Sequence, residues 1–156
     1  MIVFEVLTKR TFFRYFADKR EVLFSGAAIL EKTFVGGIRG AAADAPPLDA
    51  IAAGLDAAAE IFEQVGDRVR KRQAILVANP ELQERELIKL ARLAAAGAEA
   101  LRDRGVAEPA AGLAAEAAMA VLRVSFDRWT ADPDGQDLRA LLRQSLSELR
   151  SMAGAI

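Results

Sequence analysis

From Val22 to Met152 apolar residues return every three or four positions, and short clusters of Gly, Pro, Asn and Asp stand between the runs. That spacing is one turn of an α-helix, so each run forms an apolar stripe that must be buried against another. No segment alternates apolar and polar residues over the length of a strand. The pattern therefore predicts an all-α fold, a multi-helix bundle. Ala, Leu, Glu and Arg, which dominate the chain, are all good helix formers.

The punctuation divides the chain. Thr8 is placed to cap a short helix over 9–15. Asp18 and Glu21 have capping-box spacing and open a second helix, which carries Val22, Leu23, Ile29, Leu30, Phe34 and Ile38. Gly36, Gly37 and Gly40 weaken its end. Pro47 suits the first turn of the next helix, with a stripe of Leu48, Ile51, Leu55, Ala58, Ala59 and Phe62. Gly66 is expected to end it, and Asp67 to cap a short helix reaching Val77. Asn79-Pro80 restarts the chain, with Asn79 as cap and Pro80 in the first helical position. The long helix that follows is expected to bury Leu87, Leu90, Leu93, Ala94, Ala98 and Leu101, and to stop at Gly105. Pro109 opens a helix over 109–130, and Asp132-Pro133-Asp134-Gly135 makes a turn. The last helix carries Leu138, Leu141, Leu142, Leu146, Leu149 and Met152 on one face.

Composition removes whole classes of chemistry. The chain has no cysteine and no histidine, so disulfides, thiol nucleophiles, imidazole bases and their metal sites are excluded. No enzyme, cofactor or metal is implied. Carboxylates remain, and Glu84, Glu86 and Asp127 are the acid candidates, although exposed helical carboxylates are common. The 156 residues are enough to bury a core without staples. A net charge of -1 means that any nucleic-acid contact must come from a local basic patch. No stretch has the ~20 uninterrupted apolar residues of a membrane span, and Met1–Leu7 lacks the basic start of a signal peptide. The expected location is the cytoplasm, with no membrane partner.

The basic patch lies at Lys9, Arg10, Arg14, Lys19 and Arg20. Such a run alone is an ordinary solvated face. Its setting is more specific: a capping Thr8, then Thr11, the aromatic pair Phe12-Phe13, Tyr15-Phe16, and Lys19 at the start of the next helix. This segment, from Leu7 to Phe24, resembles the recognition helix and linker helix of TetR-family transcriptional regulators. The resemblance implies a partial helix-turn-helix head over 1–24 and a ligand-binding and dimerisation body over 25–156. It implies DNA contacts from Thr8, Lys9, Arg10, Thr11, Phe13, Arg14, Tyr15 and Lys19. Lys9 and Arg10, in the first helical turn, are placed for the groove. Thr11, Arg14, Tyr15 and Lys19 carry groups suited to phosphate oxygens. Phe13 stands where the family often has tyrosine and lacks its hydroxyl. The family head has two further helices before the capping residue, where this sequence has Met1–Leu7. A chain truly beginning at Met1 is expected to bind operator DNA weakly or not at all.

For the body, the resemblance implies a cavity for a small hydrophobic ligand among the central helices. The inward apolar positions Leu55, Phe62, Leu76, Leu93, Met119, Leu122 and Phe126 are its expected wall. Arg72 and Arg123, near apolar stripes, are candidates for an anionic group of the ligand, with surface ion pairs as the plainer alternative. The implied assembly is a homodimer formed by the last two helices, through Leu113, Ala117, Val121 and Val124 and through Leu138, Leu142, Leu146 and Leu149. The implied function is repression of transcription, released by ligand. The alternative is a helical small-molecule-binding dimer module without DNA-binding activity.

Overall fold

A computed structural model describes residues 26–154, and within them the chain is helical, with no strand among the described residues. The expectations for Thr8, Lys9, Arg10, Thr11, Phe13, Arg14, Tyr15 and Lys19, and for the Asp18 helix start, lie outside these residues. The helices are α1 (residues 26–39), α2 (Pro47–Gln64), α3 (Gly66–Val77), α4 (Pro80–Asp103), α5 (Ala110–Ala131) and α6 (Leu138–Gly154).

The helix ends follow from local chemistry. Pro47 and Pro80 occupy the first turns of α2 and α4, where their missing amides have no partner to lose. Asn79 has the extended backbone of a cap, but its side chain makes no capping hydrogen bond. The α2–α3 break falls at Val65 rather than at Gly66, so Gly66 begins α3 and Asp67 lies inside its first turn instead of capping it. There Asp67 still meets the positive end of the helix dipole. Gly105 ends α4 with φ +91, which only glycine adopts without strain. The Val106 amide donates to the Leu101 carbonyl and the Gly105 amide to that of Arg102, closing a Schellman motif. At the start of α6, Asp137 accepts from the Ala140 amide at 2.7 Å.

One core joins the bundle. α5 packs between α4 and α6, α2 crosses α5 and α6, and α3 lies against the first half of α4. Leu30, Phe34 and Ile38 bring α1 into the same core. Ile29, by contrast, is exposed. Arg104 donates to the carbonyls of Arg39, Ala41 and Ala42, which fastens the α1–α2 loop to the end of α4. Leu138, Leu141, Leu142 and Leu146 are all buried within the protomer. Of the residues expected at a dimer surface, Leu138, Leu142 and Leu146 of α6 and Val121 of α5 are therefore buried within the protomer, Leu149 is half-buried, and Leu113 and Val124 are exposed. Leu87 is a second correction: it is 56% exposed. α3 covers one side of the first half of α4, and Leu87 lies on the other.

Among the described residues, Ser125 is the buried polar residue of the core. Its hydroxyl donates to the Leu141 carbonyl at 3.2 Å and lies 2.8 Å from the Ser145 hydroxyl, fixing the register of α5 against α6. Ser125→Val should therefore lower stability by about 1–3 kcal/mol, because it removes the bond and leaves a neighbouring hydroxyl without its partner. Urea unfolding checks this, with a shifted midpoint expected at an unchanged slope.

Candidate functional site

The core-facing stripe of α3 runs through Val69, Arg72 and Leu76, and that of α4 through Leu82, Glu86, Lys89 and Leu93. Each is apolar at its ends and charged in the middle. The charged positions meet: an Arg72 Nη donates to Glu86 at 2.9 Å, and Lys89 Nζ stands 3.9 Å from the other Glu86 oxygen. Their side chains retain only 24% (Arg72), 31% (Glu86) and 25% (Lys89) of full exposure. Burial lowers the Lys89 pKa below the usual lysine range; Glu86 opposes this and the Arg72 charge reinforces it. The Arg72 Nε is buried and has no acceptor. Two cations thus share one carboxylate on helix faces that elsewhere build the core.

Aromatic residues line the neighbouring end of the bundle. Phe62 meets Phe126 edge-on at 5.3 Å, and Phe126 meets Trp129 at 5.7 Å. The Arg70 guanidinium lies 4.8 Å from the centre of the Trp129 ring. Trp129 is also the floor of an open cleft of about 730 Å³, where Glu63, Arg68, Arg70 and Asp137 supply charges of both signs.

The predicted ligand residues fall into three groups. Leu55, Leu93, Met119 and Leu122 lie in the buried core cluster, with Phe62 and Phe126 packed against it. Leu76 is buried on α3, one turn beyond Arg72, which is half-buried as described. Arg123 stands apart: it is exposed, because at this position α5 has turned away from the core stripe of Met119, Leu122, Phe126 and Trp129. Glu84 and Asp127 are exposed, whereas Glu86 is held by Arg72, so the three acids are not one grouping. Sequence reasoning did not single out Lys89 or Arg70, the partners of Glu86 and of the Trp129 ring. The available signal was the interruption of the stripe between Leu82 and Leu93 by two charges at helical spacing.

Residues 45–154 match the family described as the MftR C-terminal domain, one of the C-terminal domains of TetR-type regulators. The chain belongs to the TetR family. The match covers α2 to α6 and therefore both the charged cluster and the aromatic end. No curated protein matches the chain significantly. The all-α architecture is that of a TetR-type body, and the matched domain is a regulator domain, not typically enzymatic. No helix among the described residues is long and apolar enough to cross a membrane.

Proposed function

We propose that the chain is a sequence-specific, ligand-responsive transcriptional regulator that acts as a homodimeric repressor. The observation that carries this reading is the TetR C-terminal match over residues 45–154, preceded in the same chain by the Thr8 to Phe24 pattern. Thr8, Lys9, Arg10, Thr11, Phe13, Arg14, Tyr15 and Lys19 contact operator DNA. A small, mainly hydrophobic ligand enters among Leu55, Phe62, Leu76, Leu93, Met119, Leu122 and Phe126, with Arg72 as its polar anchor. Ligand and DNA oppose each other because they favour different arrangements of the protein. The protein works in the cytoplasm, where its DNA is.

Selection from a pool of randomised duplexes tests the reading. The protein, carried with any sequence encoded upstream of Met1, should enrich a two-fold symmetric sequence whose half-sites lie about one helical turn apart, ~34–36 Å. Lys9→Ala should then weaken binding to that sequence in a salt-dependent manner. If no sequence is enriched, the regulator reading fails and the chain is a helical small-molecule-binding module.

A further inference from the structure

We propose that Arg72, Glu86 and Lys89 form the head-group site for an apolar monocarboxylate, whose carboxylate joins Glu86 beside the two cations. This rests on the reading of the body as a ligand sensor and adds the ligand's chemical class.

Three observations carry it. The first is position: the cluster interrupts two core-facing stripes, so the residues beside it are Val69, Leu76, Leu82 and Leu93 rather than other charges. Charges on such faces are desolvated and are costly unless paired. The second is balance. Two cations hold one carboxylate, and a single further negative charge completes the set. A monoanion does this, whereas a dianionic phosphate monoester leaves an excess negative charge in a half-buried place. The third is the buried Arg72 Nε, which has no acceptor. One edge of the guanidinium is used on Glu86. Nε belongs to the fork with which arginine grips a carboxylate by two parallel bonds. Arg70 and Arg139 also have an Nε without an acceptor, but Arg70 is spread on Trp129 and Arg139 stands 3.8 Å from Asp56. Arg72 combines the unmet donor with a second cation and an apolar surround. The apolar surround sets the rest of the ligand, a hydrocarbon or aromatic body.

The test uses decanoate as probe and decanol as its uncharged counterpart, with binding to the full chain followed by calorimetry. Decanoate should bind saturably, at one per chain, and more tightly than decanol. Arg72→Gln should weaken decanoate by about tenfold or more, the loss expected for a charge-assisted hydrogen bond, and leave decanol unchanged. Glu86→Gln should tighten decanoate, because two cations then face the ligand with no negative charge beside it. Should Glu86→Gln melt too low for calorimetry, its melting temperature with and without decanoate replaces that reading. The rise should then exceed that of the natural chain, since the ligand restores the missing negative charge. Equal decanoate affinity in the natural chain and Arg72→Gln overturns the proposal, as does a smaller thermal response in Glu86→Gln. Decanoate bound as described by a protein that enriches no DNA sequence ends the regulator reading and keeps this site. Sequence-specific DNA binding without a decanoate site does the reverse.

Discussion

Phe34→Ala should destabilise the body by about 3–5 kcal/mol, a large share of the ~5–15 kcal/mol that holds a domain of this size. Phe34 has no exposed surface, and α1 reaches the core largely through it, with Leu30 and Ile38 on either side. The ring lies where two helices have given up their side chains. A Cβ built at Gly54 on α2 would stand 3.0 Å from Phe34 Cδ1 and 2.9 Å from its carbonyl oxygen. A Cβ at Gly97 on α4 would stand 2.8 Å from Cε2 and 3.3 Å from Cζ. Removing the ring therefore opens a cavity between α1, α2 and α4 that backbone cannot collapse to fill. The same geometry predicts the sign of a double substitution. Gly97→Ala in the natural chain forces the ring aside, costing about 1–3 kcal/mol, against ~1 kcal/mol of helix propensity gained. In a Phe34→Leu background the atoms it would strike are gone, and Gly97→Ala should become neutral or stabilising. A coupling of about 1 kcal/mol or more is expected from denaturant unfolding of the four proteins. Additive effects would show that the ring does not rest on Gly97.

The helices and most of their inward faces were legible because three-to-four spacing and Pro and Gly punctuation are local signals. Pro47, Pro80 and Gly105 mark their helix ends, as the sequence indicates. What was not legible depended on which neighbour covers which face. Along α4, the stripe through Leu87 and Leu90 and the stripe through Glu86 and Lys89 are both plausible continuations of the buried Leu93, Ala94, Ala98 and Leu101. Apolarity favours the first. The fold keeps Leu90 against the core but leaves Leu87 exposed, because Arg72 of α3 comes to Glu86 and thereby draws a charged face inward. The same limit applies to α6. Leu138, Leu142 and Leu146 mark a strongly apolar face, but a face buried within the protomer and one buried against a partner read alike in sequence. Within the candidate site, Leu55, Leu93, Met119 and Leu122 were identifiable as interior positions, whereas the pairing of Lys89 with Glu86 required the packing of α3 on α4.

Leu113→Glu combined with Val124→Glu should convert the proposed dimer to a monomer and reduce operator affinity by about 100-fold or more. Because Leu138, Leu141, Leu142 and Leu146 of α6 are used internally, the exposed apolar residues of α5 offer a partner more surface. On α5, Leu113 is 67% and Val124 54% exposed, and Ala117 and Ala120 lie between them at helical spacing. Large residues at the ends and small ones in the middle let a second helix approach closely across a two-fold axis. Leu113 also borders a cleft of about 390 Å³ with Pro46, Pro47 and Leu48, an apolar recess suited to a side chain of the other copy. A glutamate at both positions places four desolvated like charges in such an interface, two from each copy, which Coulomb repulsion and desolvation disfavour together. The fold itself should tolerate the change, since neither side chain belongs to the protomer core. Circular dichroism should therefore remain helical while sedimentation reports half the mass. DNA binding falls because two heads on one dimer share a single search, and separation turns the second half-site contact into an independent encounter. If the variant sediments with the mass of the natural chain at micromolar concentration, α5 does not carry the interface. If it is monomeric yet binds operator as before, paired heads are not the source of affinity.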